Sequence, residues 1–219
     1  MKKEKIILVL NGEIPKKKNL ISYIFGYNKI LCADGAANTI LNYDIYPDFI
    51  LGDLDSICPE KLKHYNGKII DLPDQNLNDL EKILIWCIDN NYNNIDIIGI
   101  DGKRIDHTIG NFSIILRFIN KLNIDIITES GIFYTIKNET IIKNLKKKYI
   151  SIFSYDSHNE ISTIGLRYEL KNNKLAELSS GTLNYAIKDE VKVFCKNNIL
   201  FFIAHKKTRN EYEKIFTKI

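Results

Sequence analysis

Residues 47–57 read PDFILGDLDSI: a short apolar run from Phe49 to Leu51 stops at Gly52, and two carboxylates follow, Asp53 and Asp55, with one leucine between them. An apolar run this short, bounded by proline and glycine, reads as a strand. On extended backbone residues two apart face the same side, which would set the two acids roughly 6–7 Å apart on one edge. Their repulsion at an effective dielectric of about 20 is on the order of 2 kcal/mol, and a divalent cation beside them turns that cost into a binding site.

Outward from this stretch, short β-branched runs alternate with helical patterns as far as Asp125. The strand candidates are Ile6–Leu10, Lys29–Cys32, Asp48–Leu51, Lys68–Asp71, Ile95–Ile98 and Ile124–Thr128. Such alternation predicts a mostly parallel sheet with helices on its faces. Asn78 and Glu81 fit a capping box, and Leu80, Ile83, Leu84, Cys87 and Ile88 follow the helical apolar period behind it. A further helix is expected from Asp106 toward Asn120, with Ile109, Phe112, Leu116 and Ile119 facing inward. Beyond Gly131 the helical period disappears. GIFYTIKN, ETIIKN, KYISIFSY, VKVFC and ILFFIAH read as strands, with Asn172-Asn173 and Asn197-Asn198 as hairpin turns. The expected fold class is α/β, with an N-terminal, mostly parallel, Rossmann-like domain over residues 1–135. An all-β sandwich over residues 136–219 follows it.

Composition removes several function classes. The net charge of +4 is mild, and no arginine stripe interleaved with aromatics appears, so a nucleic-acid partner is not expected. The runs Lys16-Lys17-Lys18 and Lys146-Lys147-Lys148 read as solvated surface. The apolar run Ile6–Leu10 is too short for a signal peptide, and no segment reaches transmembrane length. The four cysteines, Cys32, Cys58, Cys87 and Cys195, lack metal-ligand spacing and read as reduced thiols in a cytoplasmic protein.

In an open α/β sheet ligands bind outside the carboxyl ends of the strands. Four polar clusters fall at that edge: CADGAAN (32–38) with Asp34, GDLDSI (52–57) with Asp53 and Asp55, PDQNLNDLEK (73–82) with Gln75, Asn78 and Asp79, and GIDGKRIDHTIGN (99–111) with Arg104, Asp106, His107 and Asn111. Each alone has an ordinary explanation: a solvated turn, a helix cap, an acid favoured by the helix dipole. Their recurrence after four strands is what points to a site. The chain lacks GxxxxGK[ST], GxGxxG and GxSxG signatures and any His/Cys set suited to zinc. Hard oxygen ligands beside an arginine suit magnesium and a polyphosphate, and so indicate phosphoryl or pyrophosphoryl transfer.

In order and spacing, ADGAAN, PDFILGDLDSI, PDQNLNDLEK and GIDGKRIDHTIGN resemble the successive signatures of the thiamine pyrophosphokinase family. GLRYELKNNKLAELSSGTLNYA (165–186) is similar to that family's C-terminal stretch, with Leu183 and Tyr185 departing from its usual residues. The resemblance implies transfer of the pyrophosphoryl group of ATP to the hydroxyl of thiamine, giving thiamine diphosphate and AMP with Mg2+. It also implies a homodimer whose interface completes the active sites. Carried over, Asp53 and Asp55 hold the metal with Asp79 as a third carboxylate, and Asp34, Gln75, Asn78, Arg104, Asp106 and Asn111 line the nucleotide path. Ser180, Thr182, Asn184 and Tyr185 reach thiamine.

On this reading Arg104 neutralises charge that develops in transfer, and Asp79 or Asp106 accepts the hydroxyl proton. A haloacid-dehalogenase-like phosphatase would use the same DxD loop with Asp53 as a covalent nucleophile. That fold places its nucleophile on the first strand, whereas two strands precede Asp53 here. A non-catalytic thiamine or nucleotide sensor is the remaining alternative.

Overall fold

The computed structural model describes residues 6–14, 24–63 and 65–205. The chain divides into two compact units, Met1–Glu129 and Ser130–Ile219.

The described residues of the first unit form six strands: β1 (Ile6–Val9), β2 (Lys29–Ala33), β3 (Phe49–Gly52), β4 (Lys68–Asp71), β5 (Asn94–Ile98) and β6 (Asn123–Ile127). They pair in the order β4-β3-β2-β1-β5-β6, every pairing parallel. All six lie within two residues of their expected positions, because β-branched runs closed by Gly, Pro, Asn or Asp leave little freedom of assignment. Side chains of β1, β2, β3 and β5 are buried almost throughout, as strands covered on both faces require.

Among the described residues the named α-helices are α1 (Asp34–Ile40), the single turn α2 (Pro59–Leu62), α3 (Asp79–Asp89) and α4 (Ile105–Phe118). Asn78 caps α3 through its side-chain oxygen, which accepts from the Leu80 N–H at 2.8 Å. The other half of the expected capping box is diverted, since Glu81 accepts from Arg117 of α4 at 2.8 Å and so ties two helices together. Helix α4 starts one residue before Asp106, with Arg104 at its N-cap position. Its apolar stripe is inward only in its second half: Leu116 and Ile119 are buried, whereas Ile109 is 65% exposed. The sequence period is helical there, but the first turns of α4 border the cleft, and Ile105 and Ile109 on them are exposed.

The second unit holds two antiparallel sheets, a four-stranded one in the order β12-β9-β14-β7 and another in the order β11-β10-β13-β8. Its strands are β7 (Gly131–Ile136), β8 (Glu139–Ile142), β9 (Tyr149–Phe153), β10 (Glu160–Ile164), β11 (Asn173–Lys174), β12 (Asn184–Tyr185), β13 (Val191–Cys195) and β14 (Ile199–Ala204). Inward residues of both sheets, among them Ile150, Ile152, Ile161, Val193 and Phe201, form one core. Neither Asn pair is a hairpin turn. Asn197-Asn198 carries the chain from β13 in one sheet to β14 in the other, and the buried Asn159 side chain braces it by accepting from Lys196 N and Asn197 N. Asn172 takes a left-handed conformation (φ 51°) at the end of the long 165–172 excursion that returns to β10 as β11. Lys146 and Lys147 are exposed as expected, and Lys16-Lys17-Lys18 lies outside the described residues.

All four cysteines are free. Burial pushes the Cys87 thiol up to about 12 and Cys195 to about 11, and raises Cys32 as well. A thiol reagent at about pH 8 should therefore modify the half-buried Cys58 alone in the native protein and all four cysteines after denaturation, which a chromogenic thiol titration reads directly. Two or more native equivalents would contradict this burial.

Candidate active site

The strand order reverses direction between β1 and β5, and it is at such a switch point that the carboxyl ends of parallel strands open a crevice. A cleft of about 340 Å³ lies there, built by the residues after β1, β2 and β5 and the first turns of α3 and α4. Asp34, Asn78, Asp79, Arg104 and Asn111, all expected at the site, line it.

Three carboxylates converge at this edge. Asp34, Asp53 and Asp55 each offer an oxygen within 4.8 Å of the others. The backbone between the two acids of the DxD is not extended: Leu54 has φ 66°, a left-handed conformation uncommon for leucine. Asp34 holds it there, accepting from Leu54 N at 3.0 Å through one oxygen and from Gly35 N at 2.6 Å through the other. Gly52 permits the approach, since a Cβ on it would stand 2.6 Å from the Asp34 carboxyl carbon. Burial raises the Asp34 carboxyl above its ordinary value, the two backbone N–H groups oppose that, and the neighbouring Asp79 and Asp53 add to it. A buried acid pushed toward neutrality by nearby acids suits a position that a cation completes.

The third acid expected from sequence is engaged elsewhere. Asp79 accepts from the Lys82 ammonium at 2.8 Å, and the same ammonium stands 3.6 Å from Asp53. Burial opposes the charge on Lys82, yet Asp79 and Asp53 hold it above the usual lysine range. Gln75 donates to Asp53 at 3.2 Å and, with Lys82, keeps that carboxyl below its ordinary value. Asp55 accepts from its neighbour Ser56 at 2.8 Å.

Arg104 and Asp106 form a two-pronged pair at 3.1 and 2.6 Å, and both are exposed. The guanidinium hydrogen bond holds Asp106 down to about 2. Asn111 reaches the Ile100 carbonyl at 3.5 Å.

Sequence reasoning did not single out Asn11, Gly12, Lys82 or Lys103. Gly12 closes the cleft floor: its N–H donates to the Gly99 carbonyl at 2.7 Å, and a Cβ there would come within 2.2 Å of that oxygen. Lys82 is the one buried basic side chain among the described residues. The signal available for it was a lysine three residues after Asp79 on the apolar face of a helix.

The remaining expected residues lie in the second unit. Ser180 is exposed, and its N–H donates to Glu177 O at 3.0 Å. Thr182 Oγ1 donates to Ser179 O at 2.7 Å. Asn184 is buried and engaged through both ends of its amide, accepting from Tyr168 N and Tyr185 N and donating to Tyr168 O. It thereby fixes two tyrosines, and Tyr185 also meets Tyr149 edge-on at 5.5 Å. Leu183 is 87% exposed with φ 60°.

Acids, amides and cations gathered at the carboxyl edge of a parallel sheet define an α/β protein with a polar switch-point cleft and, beside it, three carboxylates that could hold a metal ion. Two family models match the chain, "Thiamin pyrophosphokinase, catalytic domain" over residues 22–128 and "Thiamin pyrophosphokinase, substrate-binding domain" over residues 131–202. Thiamin pyrophosphokinase 1 of Caenorhabditis elegans is 28% identical over 216 residues, covering 90% of this chain and 88% of its own. The thiamine pyrophosphokinase of Bacillus subtilis is 29% identical over 174 residues, covering 71% and 78% respectively. The crystal structure of thiamine pyrophosphokinase from Bacillus subtilis superposes with a TM-score of 0.75 at 23% identity, over 93% of this chain and 100% of that one. The chain belongs to the thiamin pyrophosphokinase family, and neither the phosphatase nor the sensor reading is favoured.

Proposed function

We propose that this protein transfers the pyrophosphoryl group of ATP to the primary hydroxyl of thiamine, yielding thiamine diphosphate and AMP. The observation that carries the reading is the convergence of Asp34, Asp53 and Asp55 beside the switch-point cleft of a chain that matches both domain models of the family. The Rossmann-like first domain binds ATP, and the second, a sandwich, binds thiamine with Ser180, Thr182 and the tyrosines that Asn184 orders.

The donor set fits magnesium, since all three ligands are hard carboxylate oxygens and, among the described residues, no nitrogen or sulfur donor joins them. When bound, the ion would supply positive charge to the phosphate oxygens. Everything else falls to the chain. The hydroxyl oxygen of thiamine bonds to the β-phosphorus, the bond from that phosphorus to the α,β-bridging oxygen breaks, and AMP leaves with the electron pair. Arg104, held by Asp106, faces the charge that develops in this exchange. The hydroxyl proton goes to Asp79, which lines the cleft, whereas Asp106 does not line it and is taken by Arg104. Lys82 keeps Asp79 aimed through its 2.8 Å contact.

The active unit is a homodimer, a reading that rests on the family and is supported by the exposure of Ile105 and Ile109 on α4 and of Leu183. Four unpaired thiols support a cytoplasmic setting.

Incubation of the protein with thiamine, ATP and magnesium should produce thiamine diphosphate and AMP in equal amounts, with chelator stopping both. Thiamine monophosphate with ADP would replace pyrophosphoryl by single phosphoryl transfer. Absence of any nucleotide product from folded protein would remove the proposal.

A further inference from the structure

The cleft carries two adjacent basic residues in different electrical states. Arg104 places its guanidinium on the Asp106 carboxylate through two hydrogen bonds. Among the described residues Lys103 meets no carboxylate; its ammonium donates to the neutral amide oxygen of Asn11 at 2.8 Å. The remaining charged lining is acidic, from Asp34, Asp79 and Asp101. Lys103 is therefore the cation of this cleft whose charge no acid among the described residues has taken.

Its position is built. Asn11 follows β1 and Lys103 follows β5, the two strands between which the sheet order reverses, so the hydrogen bond spans the switch point itself. Backbone bonds from Gly12 N to Gly99 O and from Glu13 N to Asp101 O, both 2.7 Å, lock these two loops together. Asn11 is pinned from the other side by the start of α1: a Cβ on Gly35 would come within 2.3 Å of its amide nitrogen.

We propose that Lys103, aimed by Asn11, binds the polyphosphate of the nucleotide directly, and that Asn11 is its positioning residue. A neutral amide oxygen orients an ammonium without cancelling its charge, and a phosphate oxygen entering the cleft then gains a charge-assisted bond. Arg104, already shared with Asp106, contributes less to holding the ground-state nucleotide. This inference rests on the ATP-dependent reading above.

The test is calorimetric binding of ATP, and separately of AMP, to the full chain with magnesium present and thiamine absent, for the wild type, K103Q and N11D. Lys103 is exposed, so K103Q leaves the core intact. We expect K103Q to weaken ATP at least ~10-fold and AMP less than ~3-fold, with KM for ATP raised and kcat changed little. N11D keeps the tie between the loops but turns it into an ion pair, so it should weaken ATP in the same direction. If Lys103 merely fastened two loops, N11D would bind ATP as the wild type does; that result, or unchanged ATP binding by K103Q, overturns the inference and leaves the proposed function standing. A wild type that binds no ATP overturns the nucleotide reading itself, and this inference with it.

Discussion

Asp53→Asn should lower the rate of AMP and thiamine diphosphate formation by at least ~10³-fold while the protein stays folded. The asparagine keeps the volume of the aspartate and can still accept from Gln75. What disappears is one negative charge from a group of three whose oxygens lie within 4.8 Å of one another. Removing that charge eases repulsion with Asp34 and Asp55 but gives up the attraction to Lys82 at 3.6 Å, while Lys82 keeps its closer partner Asp79, so the fold persists. The site, by contrast, loses part of the preorganised charge against which a cation and a polyphosphate assemble. Loss of a single such electrostatic element costs about 2.7–4 kcal/mol of transition-state stabilisation where it has been measured, and a metal carboxylate lies at the upper end. The measurement is product formation at saturating substrates, with the apparent magnesium requirement determined alongside and a melting curve in chelator as the control for folding. Turnover within ~3-fold of wild type would sink the assignment of Asp53.

Lys82→Met should produce the opposite division, a loss of stability that magnesium repairs. Methionine follows the unbranched path of the lysine stem through the apolar face of α3 and leaves the packing filled. The ammonium, however, is the only cation among the described residues set between Asp79, at 2.8 Å, and Asp53, at 3.6 Å. Breaking a fully buried pair costs about 3–5 kcal/mol. The Asp79 side chain is 55% exposed and water will screen part of the deficit, so about 2 kcal/mol is the expectation. For a chain of this length that is a fall in Tm of about 4–8 °C in chelator. Millimolar magnesium should recover most of it.

The pH dependence of that deficit has a definite sign. In the wild type Gln75 and Lys82 lower the Asp53 carboxyl, so Asp53 contributes stability above its unfolded-state value and loses it as pH falls through the depressed folded one. Without the ammonium this contribution shrinks. The two melting curves should therefore differ fully at neutral pH and converge as the carboxylates protonate, below about pH 4. A variant that melts with the wild type at neutral pH in chelator would show that Lys82 is a passive part of the helix face.

Both expectations turn on contacts between segments far apart in the chain, and this marks the limit of what the sequence reveals. The six parallel strands were legible because each is a β-branched run closed by a breaking residue. Helix α3 was legible because Asn78 caps it through a bond two residues long. The stretch at 47–57 likewise announced a strand ending in two acids. Properties that depend on one segment and its immediate neighbours are written in the order of residues, since the forces responsible act over a few bonds.

The partners of those acids were decided by the tertiary structure. Asp34 joins Asp53 and Asp55 because β2 lies beside β3, and Gly52 leaves room for a buried carboxylate that then draws Leu54 into its left-handed turn. Glu81 faces Arg117 rather than its own helix end because α4 passes within 2.8 Å of it. Ile109 continues a helical apolar period but is exposed, in a turn whose neighbours Thr108 and Asn111 line the cleft. Lys103 meets Asn11 across ninety-two positions only because β5 was added beside β1 on the opposite side from β2. Local pattern determined that this chain would present acids, amides and cations at the carboxyl ends of parallel strands. Which of them touch was set by strand order, because electrostatic and steric contacts at that edge depend on distance in space.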